Sequence, residues 1–366
     1  MISDQRIGVS PQRVGGYERV TGAQEYLADI PFADVLYAKL VTLPVGRGRV
    51  ISVDTSAAQA VPGVRLVWTA EDLPQPVPRY GPQYQDRPVL AVGETKFHGE
   101  PVAAVAADTR DAAEEAARLV EVEYEELPGV YTVAEALAED APLVREPELR
   151  PDDDPHRETN VLTTRVYEWG DVDTAQADLV IDETYSFPMV THFAIEPHGF
   201  AAAPDEDGIA IWSTIQHPYL LQKLMARLLD LPLAKVRVYA PDPGGGFGGK
   251  QNIKLEPLVA FMALETGRPV RLVLTLDESF QANRRVSAEV RVRSGFTSEG
   301  EFVFEDIRSD YLLGAYADIA ERVVAKSQYT AAGPYKVPNV RISARSILSN
   351  TTPACAFRGF GTPQVN

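Results

Sequence analysis

Between residues 243 and 251 the chain reads PGGGFGGKQ, with five glycines in the six positions from Gly244 to Gly249. A glycine inside a helix or strand costs roughly 0.5–1 kcal/mol relative to alanine, so such a run belongs to neither. Its flanks do. VRVYA (236–240) alternates as a strand, and KLEPLVAFMALETG (254–267) carries a helical pattern closed by Gly267. The run is a strand-to-helix loop that either turns a corner or lets a bound group approach the backbone. From Gly244 it reads G-x-x-x-x-G-K, but Gln251 stands where a phosphate loop needs Ser or Thr for magnesium. It also contains G-x-G-x-x-G. The first acids near the end of the next strand, Asp277 and Glu278, lie too far on to hold a ribose, and Phe247 would crowd a pyrophosphate. A nucleotide-binding protein using this loop remains a rival reading.

The chain has 366 residues, enough for two domains, and 45% of them are hydrophobic, which is ample for packed cores. Its formal charge of −17 gives it no electrostatic affinity for nucleic acid or anionic lipid. Cys355 is the sole cysteine, so the chain forms no internal disulfide and cannot by itself hold an iron–sulfur cluster, which takes four thiolates. In THFAIEPHG (191–199), His192, Glu196 and His198 would share one face of a strand. That pattern suits a hydrogen-bonded polar cluster or a metal site. The first residues contain no apolar signal segment and no later run reaches membrane length, so the chain reads as cytoplasmic.

Two strand–helix–strand units open the chain. The first runs from GRVISVD through an Ala-rich turn to VRLVW; the second runs from Val102–Ala106 through a helix capped at Asp108 or Thr109 to VEVEY. REPELRPDDDPHRETN (145–160) is charged, rich in proline and aperiodic, and reads as a linker or a long surface loop. Beyond it, strands are expected at 161–168, 178–187 and 208–213, with a helix from Pro218 to Leu229. A hairpin should turn at 298–300, and a strand should run through NVRISARSILSN. The chain closes on ACAFRGFGTPQVN, a glycine-rich ending that reads as unfinished.

GGGFGGK (244–250), EPHG (196–199), WSTIQHP (212–218) and AFRGFGTPQ (356–364) together resemble the molybdenum-binding subunit of the molybdenum hydroxylases, the xanthine dehydrogenase and aldehyde oxidase family. RVTGAQEYLADI (19–30) and VISVDTSAAQAVPGV (50–64) resemble that family's small α/β hammerhead domain. The resemblance implies an α+β fold: a hammerhead domain over 1–150, then the first half of a molybdopterin cofactor-binding domain over 151–366. It implies a Mo-molybdopterin cofactor, in cytosine dinucleotide form, and hydroxylation of an N-heterocycle or aldehyde with water as oxygen source. Backbone N–H groups around Gly246, Phe247 and Gly248 would face an oxygen ligand of the metal, the Gln216 amide would donate to its oxo ligand, and Arg358 would lie near the cofactor. Phe360 would pack on substrate, with Gln251 and Lys326 also at the substrate. The 2Fe-2S and FAD centres would sit on an iron–sulfur subunit and an FAD subunit.

The sequence departs from that pattern in three places. The family's general base is a glutamate in a later motif that this chain lacks, so neither Glu196 nor Glu256 is assigned the role. A further chain would supply this C-terminal half; failing that, the molecule is a non-catalytic fragment. Gln251 follows the lysine where xanthine oxidisers carry glutamate, and Lys326 stands near the place of the arginine that pairs with it, which argues against xanthine. Cys355, three residues before Arg358, reads as a small buried side chain rather than a copper ligand.

Overall fold

The computed structural model describes residue 8 and residues 10–366. The segment Pro101–Ala107, PVAAVAA, is buried at all seven positions, as expected of a strand covered on both faces. It pairs antiparallel with Leu36–Thr42 on one side and Val64–Thr69 on the other. Leu36 then pairs in parallel with Val270, which joins these N-terminal strands to later ones. The resulting seven-stranded sheet runs, in spatial order, Val236–Tyr239, Gly208–Ser213, Gly199–Asp205, Val270–Val273, Leu36–Thr42, Pro101–Ala107, Val64–Thr69. A single sheet thus takes strands from both sides of residue 150.

The helix Arg110–Leu119 packs its Ala112, Ala113 and Ala116 inward; Thr109 caps it, its side chain accepting the Ala112 N–H at 3.2 Å. The helix Glu256–Thr266 is different. Leu258, Val259, Met262 and Ala263 are wholly buried, so its apolar residues wrap around it, as in a helix sunk within a core. Burying a side chain the size of leucine contributes about 1.5–3 kcal/mol. Truncating Leu258 to alanine would cost about 2–5 kcal/mol through the cavity left behind. Gly267, at φ 65°, ends the helix in the left-handed region.

A second sheet has the order Leu179–Phe187, Ser287–Phe296, Phe302–Gly314, Asn339–Leu348, Val161–Trp169. Its hairpin closes where Thr297 N–H donates to Glu301 O at 2.9 Å, around the expected Ser298–Gly300 turn. The helix Ala320–Thr330, which periodicity did not single out, buries Val323 and Val324 against this sheet's inner face. Mixed sheets with helices packed on them make the chain α+β. The 145–160 stretch, though it reads as a linker, is pinned at several points. Arg145 is buried in an ion pair with Asp86, and Asn160 Oδ1 accepts the Val144 N–H at 2.9 Å. Arg150 donates to Thr159 O and Val161 O at 2.8 and 2.7 Å. Composition sees the charges of such a segment but not the carbonyls they serve.

Candidate functional site

The strand Val236–Tyr239 delivers the chain to the glycine loop, and Glu256 starts the next helix. Between them the backbone is held mainly from beneath. Glu196 Oε2 accepts from Gly244 N–H at 2.7 Å and from Lys250 Nζ at 2.8 Å, while Glu196 N–H donates to Gly244 O at 3.1 Å. One carboxylate therefore ties together the first and last residues of the run. Burial lowers the Lys250 amine from its ordinary pKa, and the Glu196 charge works against that shift. Gly249 O accepts from Asn283 Nδ2 at 2.8 Å and faces His198 Nε2 at 3.3 Å.

Four of the five glycines, Gly244, Gly246, Gly248 and Gly249, leave less than 3.0 Å for a Cβ, and two of these approaches frame the loop tip. A Cβ on Gly248, at φ +101°, would stand 2.5 Å from Ala356 O; one on Gly246 would stand 2.7 Å from Gln216 Cδ. Phe247 between them has φ 53°, a left-handed conformation that costs an L residue roughly 1–2 kcal/mol. That conformation leaves its ring 41% exposed at the loop tip. The N–H groups of Gly245, Gly246 and Phe247 find no acceptor among the described residues. Consecutive amides left without a protein acceptor can serve an anionic oxygen.

The distant motifs converge here. Gln216 N–H donates to Lys250 O at 2.7 Å, and Gln216 Oε1 accepts the Gly248 N–H at 3.0 Å. The Gly248 amide, expected at an oxygen ligand of the metal, donates here to the Gln216 carbonyl. With its oxygen so engaged, the Gln216 amide has its NH2 group left to donate. Arg358 N–H donates to Phe247 O at 2.9 Å, and the Arg358 guanidinium lies 5.7 Å from the centre of the Phe247 ring, a cation–π distance. Gln216, Gly246, Phe247, Gly248 and Arg358 thus form one surface.

The remaining candidates make their contacts beside this surface. Gln251 Nε2 faces His217 Nε2 at 3.4 Å, and no hydrogen bond or ion pair links it to Lys326. Lys326 lies exposed on the helix Ala320–Thr330, its amine 5.6 Å from the Tyr329 ring centre. Phe360 is half-buried and packs against the second core.

Residues 191–198 form no strand, so His192, Glu196 and His198 do not share a strand face. They make a polar floor instead. His192 Nε2 lies 2.7 Å from Ala356 O and His198 Nε2 faces the loop, so each ring bonds a backbone carbonyl of a motif segment. Burial, aided by the positive charge of Lys254, pushes His198 down to about 3 and His192 to about 4, and both are neutral at pH 7. Asn283 reaches Cys355 Sγ at 2.6 Å, and burial pushes that thiol up to about 12. Glu256 is buried, with Oε1 accepting from Ser213 Oγ at 2.7 Å and Oε2 from Lys254 N–H at 2.6 Å. It ties its helix to the backbone just before it and to Ser213. Sequence reasoning missed Asn283 and the Glu196–Lys250 pair, because neither belongs to a recognisable spacing.

Residues 153–366 match the molybdopterin cofactor-binding domain, and residues 21–128 match the aldehyde oxidase and xanthine dehydrogenase a/b hammerhead domain. The nicotinate dehydrogenase large molybdopterin subunit of Eubacterium barkeri is 33% identical over 99% of this chain and 83% of its own length. A probable xanthine dehydrogenase subunit of Bacillus subtilis is 34% identical over 97% of this chain, which spans only 47% of it. The quinoline 2-oxidoreductase structure from Pseudomonas putida 86 superposes with a TM-score of 0.87 at 29% identity, over 97% of this chain and 46% of that one.

Proposed function

Because the chain belongs to the xanthine dehydrogenase and aldehyde oxidase family of molybdenum hydroxylases, we propose that it forms the first half of the cofactor site of an enzyme oxidising an N-heterocycle or an aldehyde. The observation that carries this reading is the run of amides at Gly245, Gly246 and Phe247 without a protein acceptor, beside the Gln216 side chain and the Arg358 guanidinium. A Mo-molybdopterin group suits these residues: its oxygen ligands need donors without added charge, and its phosphate needs a cation. When bound, it supplies two-electron oxidation with water as the oxygen source.

The chain's own residues then have defined tasks. The Gln216 NH2 group and the Phe247 N–H donate hydrogen bonds to the anionic face of the cofactor. Arg358 balances its phosphate charge. Glu196 and Lys250 keep the loop from shifting, since both its ends depend on one carboxylate. Phe360 and Gln251 are assigned to the substrate side on the family resemblance, and a glutamine in place of the glutamate of xanthine oxidisers favours other N-heterocycles or aldehydes. Lys326, exposed on its helix, is kept at the substrate on the family resemblance alone.

No residue here takes the general-base role, so catalysis requires the second half of the cofactor region, with the 2Fe-2S and FAD centres on partner subunits and the cofactor in its cytosine dinucleotide form. The E. barkeri relative, little longer than this chain, is named as a large molybdopterin subunit, which favours a division of the region between polypeptides. In sequence we divide the chain at about residue 150, following the two matched families. The test is co-production with the second-half polypeptide and the maturation machinery, followed by elemental analysis and a substrate panel with an artificial electron acceptor. About one molybdenum per assembly is expected, with turnover only when both halves are present. Stoichiometric ATP or NAD in place of molybdenum, or turnover by this chain alone, would overturn the reading.

A further inference from the structure

The strand Leu179–Phe187 forms one edge of the five-stranded sheet and is exposed along its length, with only Phe187 half-buried. Its neighbour is not exposed in this way: Ser287–Phe296 buries Ala288 and Val290 to 3% each. The antiparallel register sets Tyr185 opposite Val290, Ile181 opposite Ser294 and Leu179 opposite Phe296. Directly paired residues share a face, so these three side chains point the same way as the second core. Yet they are 60%, 48% and 56% exposed. On the alternate face Asp182 pairs with Arg291 at 2.6 Å, with Thr184 and Ser186 beside it and Val180 42% exposed. With Glu183, which faces the same way opposite Val292, as its one charge, the largely apolar face of this sheet therefore runs one strand beyond the layer that covers it. Among the described residues the strand's outer edge pairs with no other strand, and a nine-residue edge without proline is the kind of surface that proteins cover.

We infer that this edge strand is the docking surface for the second half of the molybdopterin-binding region, and this rests on the functional reading above. Two observations select that occupant. The chain spans 47% of the B. subtilis relative and 46% of the quinoline 2-oxidoreductase chain, so in those proteins as much polypeptide again must find a place against this fold. The last described residues also lie at this sheet: Gln364 Nε2 donates to Val286 O at 3.2 Å, beside the Phe187–Ala288 pair. A segment joined or docked there meets the strand end directly, and adds its own strand or an apolar helix face to Leu179, Ile181 and Tyr185.

The test measures assembly of the tagged chain with the second-half polypeptide for the wild type, I181D, Y185D and, facing the other way, T184D. Both inward variants are expected to weaken assembly at least about tenfold, with T184D unchanged. All are expected to melt near the wild type, because the sites are exposed; Y185A, with a smaller loss in the same direction, serves if an aspartate variant unfolds. Should the wild type assemble and the inward variants assemble equally well, the docking surface is wrong while the functional reading stands. Should the isolated wild type dimerise through this strand and keep doing so beside the second half, a second copy is the occupant and the inference fails. A wild type that neither assembles nor retains molybdenum removes the functional reading and this inference together.

Discussion

Replacing Lys250 with methionine tests whether the glycine loop is held by a buried ion pair. The Lys250 amine and Glu196 Oε2 are 2.8 Å apart, on side chains only 1% and 12% exposed. At an effective dielectric of about 20 their attraction is about 6 kcal/mol. Withdrawing each ion from water costs several kcal/mol, so the intact pair contributes little net stability. Breaking it is another matter. Glu196 would retain only the Gly244 N–H, since its Oε1 has no partner, and an uncompensated buried charge costs about 3–5 kcal/mol. Glu196→Gln alone strands the lysine in the same way. The double variant leaves no buried charge and should recover part of the loss, giving a coupling energy of at least about 2 kcal/mol. Urea unfolding of the four proteins at pH 7 measures it. If the single losses simply add, with coupling below about 0.5 kcal/mol, the two side chains act independently and the loop is not held by their pairing.

Three further outcomes follow from the same site. His198 is held near pKa 3 against an ordinary 6.5, so between these values the unfolded chain binds the extra proton and stability falls as pH falls. From pH 7 to 5 this histidine should account for a loss of about 2 kcal/mol, absent in His198→Asn. Glu305, raised by burial to about 7, works in the opposite direction, so the measured quantity is the difference between wild-type and variant pH profiles. Gly248→Ala forces a Cβ to 2.5 Å from Ala356 O at positive φ and should cost at least about 2 kcal/mol, with loss of bound molybdenum from the assembled enzyme. Normal stability in that variant would show that the loop relaxes freely. Cys355, 1% exposed with its thiol raised to about 12, should resist a thiol reagent at pH 8 until denaturant is added. Rapid labelling of the native protein would contradict its burial.

Much of this protein could be read along the chain because the information was local. Alternation placed the strands Gly208–Ser213 and Asn339–Leu348; an apolar stripe placed the helix Pro218–Leu228; and the density of glycine marked 244–249 as a loop that lets something approach the backbone. The ordered motifs identified the family, and with it the residues Gln216, Phe247 and Arg358. What the backbone amides do with one another lay beyond that reading. Whether Gly248 N–H faces outward or toward Gln216, whether Glu196 meets Lys250, and whether Gln251 and Lys326 ever approach are decided by contacts between segments tens of residues apart. The same holds for the joining of Leu36–Thr42 to Val270–Val273, which unites in one sheet strands from both sides of the charged stretch. Periodicity reports which face of an element is apolar, since that is written in consecutive residues. Which partner that face finds, or that Leu179–Phe187 lacks a covering layer, depends on packing in three dimensions, and only the folded chain determines it.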